Sequence, residues 1–152
     1  MKGPAVKDKN KTIAVIDGMG GKIGFEIAKR IISAVGQRVE VIVLGTNAIA
    51  TSAMMKSGAN RGATGENAIK TTLAHVDMVV GPLSIVIANS FMGEVTPAMA
   101  EAIASCGADK VLLPISSPYI KVIGASEAPL PHLMDEAIRT ICDKLGLSKE
   151  GA

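Results

Sequence analysis

Short apolar runs, each closed by a glycine, are the feature that most restricts how this sequence can fold. Residues 12–16 and 39–44 are mainly aliphatic, and Gly18 and Gly45 follow them closely. A strand buried on both faces has a continuous apolar run, whereas a strand on a half-exposed sheet alternates apolar and polar residues. The two runs therefore predict central strands of a parallel sheet.

Helical patterns separate the apolar runs. Ile23, Ile27, Ile31 and Val35 recur every four residues up to Gly36, which is typical of an amphipathic helix with a glycine at its end. This alternation predicts an open, doubly wound, mostly parallel α/β domain of three layers, of the Rossmann-like kind. Further helices are predicted over residues 47–56, 67–74, 97–107 and 131–146, strands over 77–80, 110–114 and 119–123, a loop over 59–66, and either a strand or the start of a helix over 84–88.

Length and composition favour one domain. The chain has 152 residues, 48% of them hydrophobic, which is enough for a single core. We predict a flexible lysine-rich tail over residues 1–11, one domain over 12–146 and a short tail over 147–152. The start of the chain lacks the apolar stretch of a signal peptide, and no apolar run is long enough to cross a bilayer. We therefore expect a cytoplasmic protein without membrane contact.

Charge and residue types exclude other classes of function. Aromatic residues make up 2% of the chain and the net charge is +2, so neither a stacking platform for bases nor a basic face is present, and nucleic-acid binding is not expected. Cys106 and Cys142 are interpreted as small buried hydrophobes of a reducing compartment rather than as a disulfide. His75 and His132 are isolated in the sequence, which predicts no metal site.

The glycine-rich turn after the first strand is the clearest chemical feature. Gly18 permits a tight turn, Gly20 and Gly21 let backbone N–H groups approach a phosphate, and Gly24 allows close packing of helix and strand. The G-x-x-G-x-x-G spacing resembles that of extended short-chain dehydrogenases. It predicts NAD(P) or another adenine nucleotide as a ligand, and we expect Gly21→Asp to abolish binding with the fold intact. The alternative is that these glycines serve only a tight, closely packed turn.

Other residues expected of a dehydrogenase are missing. The second strand is followed by Thr46 and Asn47, so no acid is present there for a ribose diol and no arginine for a 2′-phosphate. Tyr119 and Lys121 are two residues apart, whereas the dehydrogenase pair is four apart on a helix. Whether the protein is an enzyme, and of which reaction, therefore stays open.

Polar residues at other strand ends extend the predicted site. Ligands bind outside the carboxyl ends of the strands in a doubly wound sheet, and Thr46 and Asn47 fall at that edge. Asn89 and Ser90 join them if residues 84–88 form a strand. These four side chains are candidate ligand contacts.

The loop over residues 59–67 is a further candidate, although the sequence does not fix which edge of the sheet it reaches. Asn60 and Arg61 lie in it, and an arginine can clamp a phosphate or carboxylate through two hydrogen bonds. The alternative is that Arg61 is an ordinary solvated loop charge.

Four stretches carry a resemblance to a known family. Residues 44–53, 58–67, 93–101 and 129–133 make the chain, from about residue 11 to 145, similar to a family of small Rossmann-like bacterial proteins known only as a domain of unknown function. The resemblance implies the α/β fold and a prokaryotic cytoplasmic setting. It implies no activity, substrate or catalytic residue.

Two functions remain in view. The first is a nucleotide- or phosphometabolite-binding protein of undetermined reaction, whose partner is a small phosphate-bearing molecule. The second is a non-catalytic sensor or assembly subunit, with a structural glycine turn and loops used for subunit contacts. In either case we expect a homo-oligomer, a dimer or larger, because adjacent apolar pairs such as Ile31 with Ile32 and Leu133 with Met134 leave more apolar surface than one small domain can bury.

Overall fold

The computed structural model describes residues 11–147. Most of the predicted tails, residues 1–10 and 148–152, lies outside the described residues. Strands and helices alternate along the described part of the chain. The strands are β1 (Lys11–Asp17), β2 (Val39–Gly45), β3 (Arg61–Thr64), β4 (Met78–Pro82) and β5 (Asp109–Leu113), and the helices are α1 (Lys22–Val35), α2 (Ala48–Met55), α3 (Glu66–Leu73), α4 (Pro97–Ser105) and α5 (Leu130–Leu145).

The five strands form one parallel sheet in the order β3-β2-β1-β4-β5. The central strand β1 pairs with β2 along its whole length, with Ile13 opposite Val41, and on its other side with β4, where Ile13 lies opposite Met78. The chain runs outward from β1 to β3, then returns and continues from β4 to β5. The direction of winding therefore reverses between β1 and β4, which is the point where sheets of this kind bind ligands.

Helices cover both faces of the sheet, which confirms the predicted three layers. On one face α1, α2 and α5 pack through Ile27, Met54 and Ile138. On the other face α3 and α4 pack through Ile69 and Ile103. Residues of β1 alternate between the two cores: Ile13 and Val15 belong to the first, Ala14 and Ile16 to the second.

Helix starts follow the predicted caps. The Ala50 N–H donates to the Asn47 side-chain oxygen at 2.8 Å, so Asn47 caps α2. The Met99 N–H donates to the Thr96 hydroxyl at 3.1 Å and fixes the start of α4. The same hydroxyl donates to Glu66 at 2.5 Å, in the first turn of α3, and so ties the two helices of the second face together.

Two predictions of local structure are wrong. Residues predicted as a loop include the edge strand β3, in which Ala63 pairs with Leu44 of β2. Its sequence, Arg-Gly-Ala-Thr, has no apolar run from which a buried strand could be predicted. The strand is held by backbone pairing with β2 rather than by burial. The strand predicted over residues 119–123 is a series of turns, with Tyr119 95% and Ile123 87% exposed. A single 3-10 turn, Leu83–Val86, occupies most of the ambiguous segment 84–88.

Both cysteines are free thiols, as expected. Cys142 is buried, as predicted, whereas Cys106 is only half-buried. None of the helices between residues 11 and 147 is both long and apolar enough to cross a membrane.

Candidate functional site

An open groove lies at the carboxyl edge of the sheet, between the glycine turn and the start of α2. Its volume is about 660 Å³, and we call it the Gly20 groove. It joins residues from three separate connections of the chain. The lining residues are Met19, Gly20, Asn47, Ala48, Ile49 and Glu94.

A buried carboxylate supports the glycine turn from below. Asp17, at the end of β1, is 4% exposed. Its two oxygens accept hydrogen bonds from the Gly18 N–H at 2.8 Å and from the Gly24 N–H, in the first turn of α1, at 2.7 Å. Burial raises the pKa of Asp17 above its ordinary value, the two backbone hydrogen bonds oppose this rise, and the charge of Glu94 adds to it. The turn and the helix start are therefore held by the chain's own carboxylate.

Three of the four glycines are required by packing. A Cβ on Gly18 would lie 2.5 Å from both the Phe91 ring and the Thr46 hydroxyl, and one on Gly24 would meet the thioether of Met54. Gly21 has a φ of +74° and a Cβ there would lie 2.7 Å from the Ala50 carbonyl oxygen. Gly21→Asp would therefore disturb the backbone, and our expectation that it leaves the fold intact is wrong.

Gly20 is different from the other glycines of the turn. It is exposed, and a Cβ built on it would meet nothing within 4 Å. Packing within residues 11–147 therefore does not require a glycine here. Its backbone faces the groove directly.

Glu94 organises the groove, and sequence reasoning missed it. One carboxylate oxygen, Oε1, accepts from the Thr46 hydroxyl at 2.6 Å, the Asn47 amide at 2.9 Å and the Met19 N–H at 3.0 Å. Its partial burial alone would raise the pKa, but these three hydrogen bonds outweigh that effect and lower the pKa of Glu94 below its ordinary value. The Asn47 amide also donates to the Met19 carbonyl at 2.9 Å.

The connection from β4 to α4 carries Glu94 into the groove. Asn89, Phe91 and Met92 all have positive φ values, so this connection turns sharply. The Asn89 N–H donates to the Val95 carbonyl at 2.7 Å, and the buried Val95 side chain anchors the connection in the second core. Asn89 and Ser90 lie here, beside the groove but not among its lining residues. Two signals in the sequence could have indicated the role of Glu94. It is the only acid between β4 and α4, and the neighbouring donors Thr46 and Asn47 at the end of β2 need an acceptor.

Asn60 and Arg61 are not brought to this edge. They lie at the start of β3, where the Asn60 side-chain oxygen accepts from the Val41 N–H at 2.9 Å. The Arg61 guanidinium pairs with Glu40 at 2.9 Å and is largely exposed. The two residues thus stabilise the edge strand at the end remote from the glycine turn.

Between residues 11 and 147, no group of three or more His, Cys, Asp or Glu side chains is placed to hold a metal ion.

Comparison with known proteins gives a distant structural similarity and a family. The chain is similar to a dodecameric FMN-dependent Ubix-like decarboxylase from Escherichia coli O157:H7, with 12% identity, a TM-score of 0.46, and coverage of 93% of this chain and 97% of that one. No curated protein matches the sequence. The sequence model of the family described as "Domain of unknown function (DUF3842)" matches residues 12–146. The chain therefore belongs to the DUF3842 family, in agreement with the resemblance seen in its sequence.

Proposed function

We propose that this protein binds a small phosphate-bearing ligand, an adenine nucleotide or a dinucleotide such as NAD(P), in the Gly20 groove. The observation that carries the proposal is the open backbone at Gly20, which faces the groove where the winding of the sheet reverses. A glycine that packing does not need, at the position where Rossmann-like sheets bind phosphates, supports a ligand-facing role.

The phosphate position follows from which N–H groups are already used. Those of Gly18 and Gly24 donate to Asp17, that of Met19 donates to Glu94, and that of Gly21 donates to the Gly18 carbonyl. A phosphate is therefore expected at Gly20 itself, close to the positive end of the α1 dipole.

The apolar part of the groove suits a flat ring. Met19 and Ile49 both line the groove, and their side chains are 47% and 73% exposed. A nucleobase that covers these side chains would remove apolar surface from water. The groove thus offers backbone groups for a phosphate and apolar side chains for a base.

The test is a titration of the purified protein with NAD, NADP and AMP, followed by thermal unfolding and calorimetry. A ligand at 100 times its Kd is expected to stabilise the protein by about 2.7 kcal/mol. Gly20→Asp places a carboxylate at the phosphate position without a clash and is expected to abolish the response. Gly107→Asp is the matched control, because that glycine also meets nothing within 4 Å and lies far from the groove, at the end of α4. If none of the three nucleotides stabilises the wild-type protein, the proposal is wrong.

A second function is favoured by a different observation, the exposed apolar side chains between β5 and α5. We call residues 114–129 the β5–α5 segment, and it carries Tyr119, Ile120, Val122 and Ile123 on its surface. Exposed apolar clusters of this kind are typical of interfaces. We propose that the protein is an assembly subunit that forms a homo-oligomer through this segment.

The partner surface would be a groove beside the same segment. This groove has a volume of about 390 Å³ and lies between β5 and α5, where Leu113, Leu133 and Ala137 contribute to its lining. A surface that carries both apolar side chains and an apolar groove can pair with a second copy of itself around a twofold axis. Light scattering at micromolar concentration tests this: the expected mass is a multiple of 15.6 kDa, and a mass equal to that of one chain would contradict it.

A further inference from the structure

Rossmann-like nucleotide sites need an acceptor for the ribose hydroxyls, and this sequence has none where it is expected. The usual position is an Asp or Glu at the end of the second strand. Here β2 ends at Gly45, and Thr46 and Asn47 follow, both of which present hydrogen-bond donors to the groove. The structure nevertheless places a carboxylate at that position, supplied by Glu94 from the connection between β4 and α4.

We propose that Glu94 is the acceptor for the ribose hydroxyls of the nucleotide in the Gly20 groove, and that it selects ligands with a free 2′-hydroxyl over ligands with a 2′-phosphate. This inference rests on the proposed function, because it assigns a role within the same groove. Glu94 thus replaces, from another loop, the acid that β2 lacks.

The first argument is the way in which the carboxylate is held. All three described hydrogen bonds to Glu94, from Met19, Thr46 and Asn47, end on Oε1. A carboxylate has two acceptor oxygens, so Oε2 remains to accept from a ligand while Oε1 fixes the orientation of the group. Glu94 lines the groove, so this second acceptor belongs to a side chain that a ligand in the groove would meet.

The second argument is the charge around that position. Among the described residues that line the groove, Glu94 is the one with a charged side chain. The carboxylate of Asp17, below the glycine turn, adds to the negative potential, since its charge and that of Glu94 repel each other. A 2′-phosphate at this position would meet a fixed carboxylate, and the lining residues between positions 11 and 147 include no cation to balance it, whereas a hydroxyl would donate a hydrogen bond.

Thr46 and Asn47 are positioning residues in this arrangement. Their side chains hold Glu94 and are not required to touch the ligand. Thr46→Val removes the 2.6 Å hydrogen bond without changing the shape of the side chain. It is expected to weaken binding of ligands that carry a free 2′-hydroxyl and to leave binding of a 2′-deoxynucleotide unchanged.

The test is calorimetry with four probes, AMP, 2′-deoxy-AMP, NAD and NADP, on the wild-type protein and on Glu94→Gln. Wild type is expected to bind AMP at least about ten-fold more tightly than 2′-deoxy-AMP, and NAD at least about ten-fold more tightly than NADP. Glu94→Gln keeps an acceptor for Thr46 and Asn47 but loses the charge. It is expected to bring the affinities for NAD and NADP within about three-fold of each other.

Glu101→Gln is the control, because it makes the same charge change on an exposed face of α4, away from the groove. It should keep both wild-type preferences. Equal binding of AMP and 2′-deoxy-AMP by the wild type, or a preference for NADP, would overturn the role of Glu94 and leave the proposed function standing. If none of the four probes binds the wild type, the proposed function fails and this inference fails with it.

Discussion

The glycine turn and the β5–α5 segment both follow a strand of the same sheet, yet they are held in opposite ways. In the turn, Gly18 packs against Phe91 and Thr46, and Gly21 packs against Ala50, so side chains and backbone from three other parts of the chain fix it. In the segment, Ile115 is bound to Ser84, but the described hydrogen bonds beyond Ile115 are local, as is the ion pair between Lys121 and Glu127. The side chains of Tyr119 and Ile123 are exposed to solvent.

The contrast indicates which kind of binding partner suits each region. A turn whose backbone groups are already placed can receive a small ligand with little further ordering. A segment with exposed apolar side chains gains most from a large apolar surface, which only another chain provides. Three substitutions test this difference, and we give them in order of expected effect.

Gly21→Ala is expected to have the largest effect, because its Cβ would lie 2.7 Å from the Ala50 carbonyl oxygen and its φ is +74°. Left-handed backbone and overpacking together predict a loss of about 3 kcal/mol in the free energy of unfolding, measured by urea denaturation. Gly20→Ala, where a Cβ meets nothing, is the control and should change stability by less than about 0.5 kcal/mol. Equal effects of the two substitutions would show that the turn is not fixed by packing.

Asp17→Asn is expected to have an intermediate effect, because an amide leaves one of the two backbone N–H groups without its acceptor. The expected loss is about 2 kcal/mol at neutral pH. Because burial raises the pKa of Asp17 above its ordinary value of 3.8, the folded protein holds a proton over a range in which the unfolded chain has lost it. Its contribution to stability is therefore full below pH 3.8 and falls as pH rises through the raised value.

Denaturation between pH 3 and pH 7 measures this dependence, with the pH series of Asp17→Asn subtracted from that of the wild type. The contribution of Glu94 to stability has the opposite pH dependence. Because the pKa of Glu94 lies below its ordinary value of 4.5, this contribution is lost as pH falls through the lowered value. Glu94→Gln therefore separates the two contributions. A wild-type minus Asp17→Asn difference that rises with pH would contradict the raised pKa of Asp17.

Ile123→Lys is expected to have the smallest effect on the fold. The side chain is 87% exposed, so the free energy of unfolding of a single chain should change by less than about 0.5 kcal/mol. The same substitution should shift the mass in solution toward 15.6 kDa, because it places a charge in the proposed interface. Met92→Lys, also at an exposed apolar side chain but outside the segment, should leave the mass unchanged. An unchanged mass in Ile123→Lys would exclude the segment as the interface.

The sequence correctly predicts those elements of the fold that are determined by residues close together in the chain. The four-residue spacing of α1 and the Asn47 cap of α2 depend on neighbours in the sequence, and both are confirmed. The edge strand β3 was missed because its stability comes from pairing with β2, which its own residues do not indicate. For the same reason, the sequence does not show which edge of the sheet Asn60 and Arg61 reach.

The candidate site was harder to predict because its parts are distant along the chain. Glu94 and Met19 are separated by 75 positions, and only the folded chain shows that they meet. Gly20 and Gly21 are the same residue type in the sequence, and only the fold shows that Ala50 lies against Gly21, whereas Gly20 is open to the groove.

The short sequence Glu94-Val95-Thr96 links the groove to the two helices on the second face of the sheet. Glu94 is bound in the groove, Val95 is buried, and Thr96 begins α4 while its hydroxyl donates to Glu66 at the start of α3. Because each of these three consecutive residues is held by its own contacts, the backbone between them has little freedom to move. A ligand that displaces Glu94 is therefore expected to displace the paired starts of α3 and α4, the two helices on the second face of the sheet, as well.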